Sequence, residues 1–291
     1  MSDTATLSVH LINACSFRNN QRRIDLELHS IHCNPEILAI CETWFTDDIK
    51  FRLKGYSVFR NDRKSIIGRN YGGGTALLIK ESYSAEQLIL NFNPKSFECS
   101  IATVYLSNGP PMVIVAIYRP PPTVFNSDEL DRLLDFCETK SQTILIAGDF
   151  NSFHRNWNST RDSCDGNKLN DWIMSRGLLV YPTTQPTRGN NHLDFFIASP
   201  AVIAEENLLS TMAGFSDHRV VVFELVSNGI PLTKTAKKSY NWKKTDISKF
   251  QQHIDAEMMY LDVQLNEDID PDQIDIIVDE LKQGLNRVLD I

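Results

Sequence analysis

Nine short apolar runs, each bounded by Gly, Pro, Asn or another polar break, constrain this chain more than any other feature: "LSVHLINA", "ILAICETW", "GYSVFRND", "GGTALLIK", "CSIATVYL", "PMVIVAIY", "TILIAGDF", "LDFFIAS" and "RVVVFELV". They are too short for most helices and rich in β-branched and aromatic residues, so they predict strands. Many strands must pair into sheets, and sheets this apolar must be covered on both faces. The spacing predicts few helices. One is "SDELDRLLDFCETK", with Ser127 as N-cap and Leu130, Leu133, Leu134 and Cys137 on one face; another is "GNKLNDWIMSRG", with Leu169, Trp172 and Ile173 inward and Gly177 as the stop. The fold class expected is therefore α/β, packed sheets flanked by helices, in a chain whose 291 residues suffice for one large core with an appendage.

The appendage begins where the pattern changes. From about Pro231 the segment "PLTKTAKKSYNWKK" is polar and basic, and two amphipathic helices are expected after it. Ile247, Phe250, Ile254 and Met258 share a face in the first; in the second Asp270 caps, Pro271 takes the first turn, and Ile274, Ile277, Leu281, Leu285 and Val288 form a stripe. This divides the chain into a body over 1–228, a linker over 229–245 and a helical tail over 246–291. The stripe reaches Ile291 without a stop signal, the pattern expected of a fragment of something longer or of a natural C-terminal helix that docks on a partner.

Charge follows the same division. The net charge is −8, yet residues 250–291 hold 11 Asp and Glu against 2 Lys and Arg, a balance of −9 that leaves +1 for the remainder. A near-neutral body is compatible with a polyanionic partner, and Lys50, Arg52, Lys54, Arg60, Arg63, Lys64 and Arg69 form a basic stretch able to face phosphates or to serve as ordinary solvated surface. No run has the roughly 18 apolar residues of a membrane helix. The N-terminus lacks a signal-peptide pattern and the six cysteines contain no CxxC pair, so an intracellular site of action, no membrane and no disulfide framework are expected.

Polar residues of particular types stand at the ends of the apolar runs: Asn13, Glu42, Tyr118 with Arg119, Asp149 with Asn151, Asp194, and Ser216-Asp217-His218. Strand ends are where a rigid scaffold converges side chains on one spot. Carboxylates and amides with a single well-placed histidine suit a hard divalent cation such as Mg²⁺, and Mg²⁺ suits phosphate chemistry. Asp149 is expected to orient or deprotonate a water, Asn151 to hold the phosphate, and His218 to donate to a non-bridging oxygen with Asp194 fixing and charging its ring.

The ordered set "LINACSFRNN", "AICETWF", "VIVAIYRPP", "AGDFNSFH", "HLDFFIAS" and "SDHRVVVFEL" resembles the successive motifs of the endonuclease/exonuclease/phosphatase superfamily, over about residues 7–226. The resemblance implies a four-layer α/β sandwich of two mixed sheets with helices outside, as in deoxyribonucleases. It implies Mg²⁺ (or Mn²⁺) at Glu42 and Asn13 with Asp217 nearby, Tyr118 at the scissile phosphate, Asp149 at the nucleophilic water, and Asp194 paired with His218. Arg119, Ser216 and Trp157 complete the expected set as substrate-binding residues, although Trp157 is of a type that also suits packing. Within the superfamily, "YRPP", "GDFNSFHRNWNS" and "SDH" are similar to the endonuclease domain of non-LTR (Jockey-like) retrotransposons, and "YNWKKTDISKF" to the segment leading towards a reverse transcriptase. That implies double-stranded DNA as substrate, a downstream reverse transcriptase region as partner, action in the nucleus, and nicks with 3′-hydroxyl and 5′-phosphate ends made for target-primed reverse transcription. The competing expectations are an AP-site repair nuclease, an inositol-phosphate phosphatase and an inert nucleic-acid-binding relic.

Overall fold

The computed structural model describes residues 5–46, 48–63, 72–106, 110–121, 123–202, 209–212, 214 and 216–227. Two compact units divide the chain, Met1–Lys234 and Thr235–Ile291. The second unit, the expected tail helices and the whole of the expected linker over 229–245 lie outside the described residues.

In chain order the elements are β1 (Ala5–Asn13), α1 (Asn20–His32), β2 (Ile37–Cys41), β3 (Tyr56–Asn61), β4 (Thr75–Lys80), β5 (Ala85–Leu88), β6 (Glu98–Val104), β7 (Met112–Tyr118), α2 (Ser127–Glu138), β8 (Thr143–Asp149), α3 (Cys164–Ser175), β9 (Leu179–Tyr181), β10 (Asp194–Ala198), β11 (Leu209–Met212) and β12 (Val220–Ser227). Each of the nine apolar runs forms a strand. They build two six-stranded mixed sheets, ordered β11-β12-β1-β2-β4-β3 and β5-β6-β7-β8-β10-β9.

Side-chain alternation explains why the sheets stack. Leu145 and Ala147 of β8 meet Val9, Leu11, Ile37 and Phe223 of the facing sheet in the core between the sheets. Ile144 and Ile146, one residue out of phase, pack on the opposite face with Leu133, Leu134, Leu169, Trp172 and Ile173 of α2 and α3. Leu26 of α1 covers the outer face of the first sheet beside Leu38, Ile40 and Leu78. The result is the four-layer α/β sandwich that the family resemblance implied, within the packed sheets flanked by helices expected from the strand pattern.

Two glycines are required by close approach. A Cβ on Gly148 of β8 would sit 2.3 Å from Ile117 Cγ2 and 2.5 Å from the Ile117 carbonyl oxygen; one on Gly166 would sit 1.9 Å from the carbonyl oxygen of Phe153.

Local differences from the sequence reading have physical causes. The N-cap of α2 is Asn126, whose side chain accepts from the amides of Asp128 and Glu129, while Ser127 opens the helix itself. Helix α1 has no counterpart among the sequence expectations because its apolar residues do not mark its buried face: Ile24, Leu28 and Ile31 are exposed, and Leu26 is its buried large apolar residue. Strands β5, β9 and β11 run for only three or four residues at sheet edges, too short for an alternating pattern to register.

Candidate active site

Both sheets present strand ends to one another at the same edge, and their registers bring the polar residues together. In the second sheet Asp149 has Tyr118 of β7 as its parallel neighbour and Asp194 of β10 as its antiparallel one. In the first sheet Asn13 pairs with Cys41, so that Glu42 is the next residue out. A hydrogen bond crosses between the sheets: Asn13 Nδ2 donates to Asp149 Oδ2 at 2.9 Å and to Glu42 Oε1 at 3.0 Å. Asn13 is thus a bridge between two carboxylates, and its own Oδ1 accepts from the amide of Cys15 at 3.0 Å.

The backbone that aims these groups is strained. Of the seven described non-glycine residues with positive φ, five lie here: Cys15, Ser16, Glu42, Trp44 and Asn151. Such conformations cost of order 1–3 kcal/mol each for residues other than glycine, and persist where surrounding structure enforces them, typically at functional sites. Asn151 shows how. Its amide donates to Asp149 Oδ1 at 3.1 Å and its Nδ2 to the carbonyl of Arg119 at 3.0 Å, so the turn after β8 is tied to both neighbouring segments.

Charge and burial then set the chemistry. Asp149 is wholly buried, and burial followed by the nearby Asp194 carboxylate pushes its carboxyl well above the usual carboxylate range. His218 lies in the loop before β12 with Nδ1 2.8 Å from Asp194 Oδ2, both side chains almost fully enclosed. Burial works against its positive charge, but the Asp194 carboxylate outweighs it, and the net shift is upward from the ordinary imidazole value. Tyr118 is pushed far up by burial and then by Glu42, so its phenol stays protonated as a donor. Asp149, Asp194 and His218 have ligand-type atoms within 4.8 Å of one another. Since His218 Nδ1 is engaged by Asp194, the triplet reads as a carboxylate beside an imidazole–carboxylate pair.

The donor set itself fits a divalent ion. Glu42 has its Oε1 held by Asn13 and its Oε2 by Trp44 Nε1 at 3.2 Å, with Tyr118 hydrogen-bonded to the same carboxylate, which has lone pairs beyond these contacts. Asp194 Oδ1 is a buried oxygen without a hydrogen-bond partner. Oxygen donors with lone pairs to spare and no thiolate among them suit a hard cation.

Not every expected residue joins this group. Trp157 is 0% exposed, stacked on Phe195 at 4.9 Å, with its indole N–H donating to the carbonyl of Ser152 at 3.1 Å. It is a core residue and not a substrate contact, as a large aromatic ring gains most from burial when its N–H is satisfied. Arg119 is likewise turned inward, donating to the carbonyls of Phe150 (3.2 Å), Asn151 (3.0 Å) and Thr123 (2.9 Å) and pairing with Asp165. It braces the turn carrying Asn151 and has little left for a substrate. Ser216 Oγ donates to the carbonyl of Asn13 at 2.6 Å and accepts from the amide of His218 at 3.0 Å, a clamp between the two loops. Asp217 stands apart from the inner group, half exposed and ion-paired with Arg188 at 2.8 Å. Of the basic stretch, Arg60 pairs with Asp62 and Arg63 with Glu98, so these two are committed within the body; Lys64 and Arg69 lie outside the described residues.

Sequence reasoning missed Trp44 and Arg188. Trp44 was legible only as the neighbour of Glu42 in "CETW", and Arg188 stands in a hairpin, "TRGNNH", with no apolar pattern to mark it.

The comparisons with known proteins agree with this geometry. Residues 112–222 match a family model described as endonuclease-reverse transcriptase. The probable RNA-directed DNA polymerase from transposon X-element of Drosophila melanogaster is 24% identical over 257 residues, covering 86% of this chain and 27% of the relative. The corresponding protein from transposon BS of the same organism is 22% identical over 279 residues, covering 90% of this chain and 28% of the relative. The chain therefore spans little more than a quarter of these relatives. Among solved structures, the endonuclease domain of TRAS1, a telomere-specific non-LTR retrotransposon, superposes with a TM-score of 0.59 at 16% identity, covering 76% of this chain and 98% of that domain.

Proposed function

We propose that this chain, whose residues 112–222 match an endonuclease-reverse transcriptase family model and whose fold is similar to the endonuclease domain of a non-LTR retrotransposon, is a divalent-metal-dependent DNA endonuclease of the endonuclease/exonuclease/phosphatase superfamily. On this reading it nicks one strand of double-stranded DNA, leaves 3′-hydroxyl and 5′-phosphate ends, and serves target-primed reverse transcription by a reverse transcriptase region of the same polyprotein, acting on nuclear DNA.

One observation carries the reading. Asp149 is fully buried, has one oxygen held by the side-chain N–H of Asn13 from the facing sheet and the other by the backbone N–H of Asn151 in its own following turn, and faces an imidazole–carboxylate pair across the same cluster. A carboxylate so placed has the geometry and the raised proton affinity of a general base.

The roles follow. Asp149 orients a water and takes its proton at a carboxylate oxygen. His218, kept protonated by Asp194, donates to a non-bridging phosphate oxygen, and the Tyr118 hydroxyl donates beside it. Asn13 and Trp44 hold Glu42, the principal residue for Mg²⁺ or Mn²⁺, which when bound supplies positive charge to the phosphate and the departing oxygen. Arg119 and Asn151 keep the turn after β8 in its strained form.

Supercoiled plasmid incubated with Mg²⁺, with EDTA, and with Glu42→Ala or Asp149→Ala protein tests the proposal. Metal-dependent conversion to open circles that either substitution reduces by orders of magnitude, with ends a polymerase extends, is expected. Supercoils left intact by the unaltered protein, together with phosphate released from inositol phosphates or incision restricted to abasic DNA, would replace it with a phosphatase or a repair nuclease.

A further inference from the structure

Three carboxylates, those of Glu42, Asp149 and Asp194, form the inner group, and a fourth, Asp217, stands half exposed outside it; a phosphate backbone must approach them all. Arg188 is a half-exposed cation whose charge interacts with Asp217, Asp149 and Glu42. Its hairpin turns through Gly189, whose φ is +55°. The hairpin closes with paired backbone bonds between Arg188 and Asn191 at 3.0 and 2.9 Å, and lies against the His218 segment through the amide of Arg219, which donates to the Thr187 carbonyl at 2.7 Å. Thr187 Oγ1 accepts from the amide of Asp194 at 3.2 Å, so the same turn is locked to both partners of the imidazole–carboxylate pair. This is a rigid mount for a side chain that is itself 46% exposed.

The guanidinium is committed to one atom. Both Nε and a terminal nitrogen reach the single oxygen Oδ2 of Asp217 at 2.8 Å, and the charge also feels Asp149 and Glu42. A planar fork matched to carboxylate geometry is equally matched to phosphate, and a half-exposed pair costs little to open.

We propose that Arg188 is an exchangeable counter-ion: it neutralises Asp217 while the site is empty of DNA and transfers to a backbone phosphate when DNA arrives, which frees the Asp217 carboxylate to add its negative charge to the cation site. This rests on the nuclease reading and adds a coupling to it. Phosphate and divalent cation each favour the same rearrangement, so each should tighten the binding of the other.

Two binding measurements test this without any cleavage. Duplex DNA is titrated in EDTA at several salt concentrations with the unaltered protein, Arg188→Gln and Arg188→Lys, and Mn²⁺ is titrated calorimetrically into each protein without DNA. Arg188→Gln is expected to lower the slope of log K against log salt by about one, the loss of one phosphate contact. It is also expected to bind Mn²⁺ roughly fivefold or more tightly in the absence of DNA, the size of an ordinary coupling. Arg188→Lys should retain the slope. A substitution acting only through the fold would move neither quantity in these opposite directions. If Arg188→Gln lowers the salt slope but leaves Mn²⁺ affinity unchanged, the residue contacts phosphate without exchange and the proposal falls; if neither changes, it falls entirely. Nicking by the unaltered protein with unchanged binding by the variants would overturn this inference alone, whereas an unaltered protein that neither binds nor nicks duplex would overturn the nuclease reading with it.

Discussion

Among individual residues, the pair of shifted groups decides the pH behaviour. Asp149 must be ionised to take a proton, and its folded value is raised, so activity should appear only above the ordinary carboxylate range. His218 must be protonated, and its folded value is also raised, so activity should persist above the usual imidazole value before falling. The expected rate profile is bell-shaped with both limbs displaced upward. Removing the charge that sustains His218, by Asp194→Asn, should move the alkaline limb back towards the ordinary imidazole value of 6.5. An alkaline limb that stays in place in this variant would show that some other group is the acid. The residue types at these positions were legible in the sequence because each borders an apolar run. The identities of Trp157 and Arg119 were equally legible, but their direction was not: whether a tryptophan points into a core or out to a groove depends on what the other sheet and the helices leave vacant.

The elements behave as packing units. Trp157 fills the space between Phe195 of β10 and His154, with ring centroids 4.9 and 5.1 Å away. Trp157→Ala should therefore destabilise the fold by about 3–5 kcal/mol, the usual cost of emptying a buried aromatic site, read from the shift in urea midpoint at unchanged m-value. A loss below about 1 kcal/mol would mean that the ring is dispensable to the core, and the surface role expected from sequence would return. Strands longer than five residues were readable from composition, since β-branched residues select them locally. Helix α1 was not. Its Ile24, Leu28 and Ile31 lie exposed, so its apolar periodicity points away from the sheet it covers, and Leu26 alone carries the large apolar contact.

For the whole molecule, burial of a polar chain outside the catalytic group sets a second pH dependence. His10 on β1 has Nδ1 2.8 Å from His29 Nε2 and Nε2 3.0 Å from Ser8 Oγ, and Ser8 Oγ donates to Glu224 at 2.6 Å. Burial first, and His29 second, push His10 down to about 3. The folded value lies below the unfolded one, so the stabilising contribution is complete above pH 6.5 and is lost as pH falls, because the unfolded chain takes up a proton that the folded chain refuses. Between neutral pH and pH 5 the loss from this one group is about 2 kcal/mol. Asp149, with its raised value, acts in the opposite sense over the same range, so the difference between unaltered protein and His10→Gln isolates the histidine. The two unfolding free energies are expected to approach one another by about that amount on acidification; a constant gap would mean that His10 is protonated in the folded state.

Residue type and periodicities of a few residues were enough to read the strand runs, their order, the change of character near Pro231 and the chemistry offered at each strand end. Which of those ends meet was settled by packing in three dimensions. Asn13 and Asp149 are 136 residues apart and touch because two separately assembled sheets stack with the same edge aligned, a matter of inter-sheet register to which no local pattern responds. Packing of α2, α3 and the turn after β8 on the outer face of the second sheet turned Arg119 and Trp157 inward, where carbonyls and rings waited for them, and a hairpin fixed by its backbone bonds to the His218 segment set Arg188 beside Asp217. Local physics selects elements, and the burial and charge that make a site arise only when distant elements exclude water together.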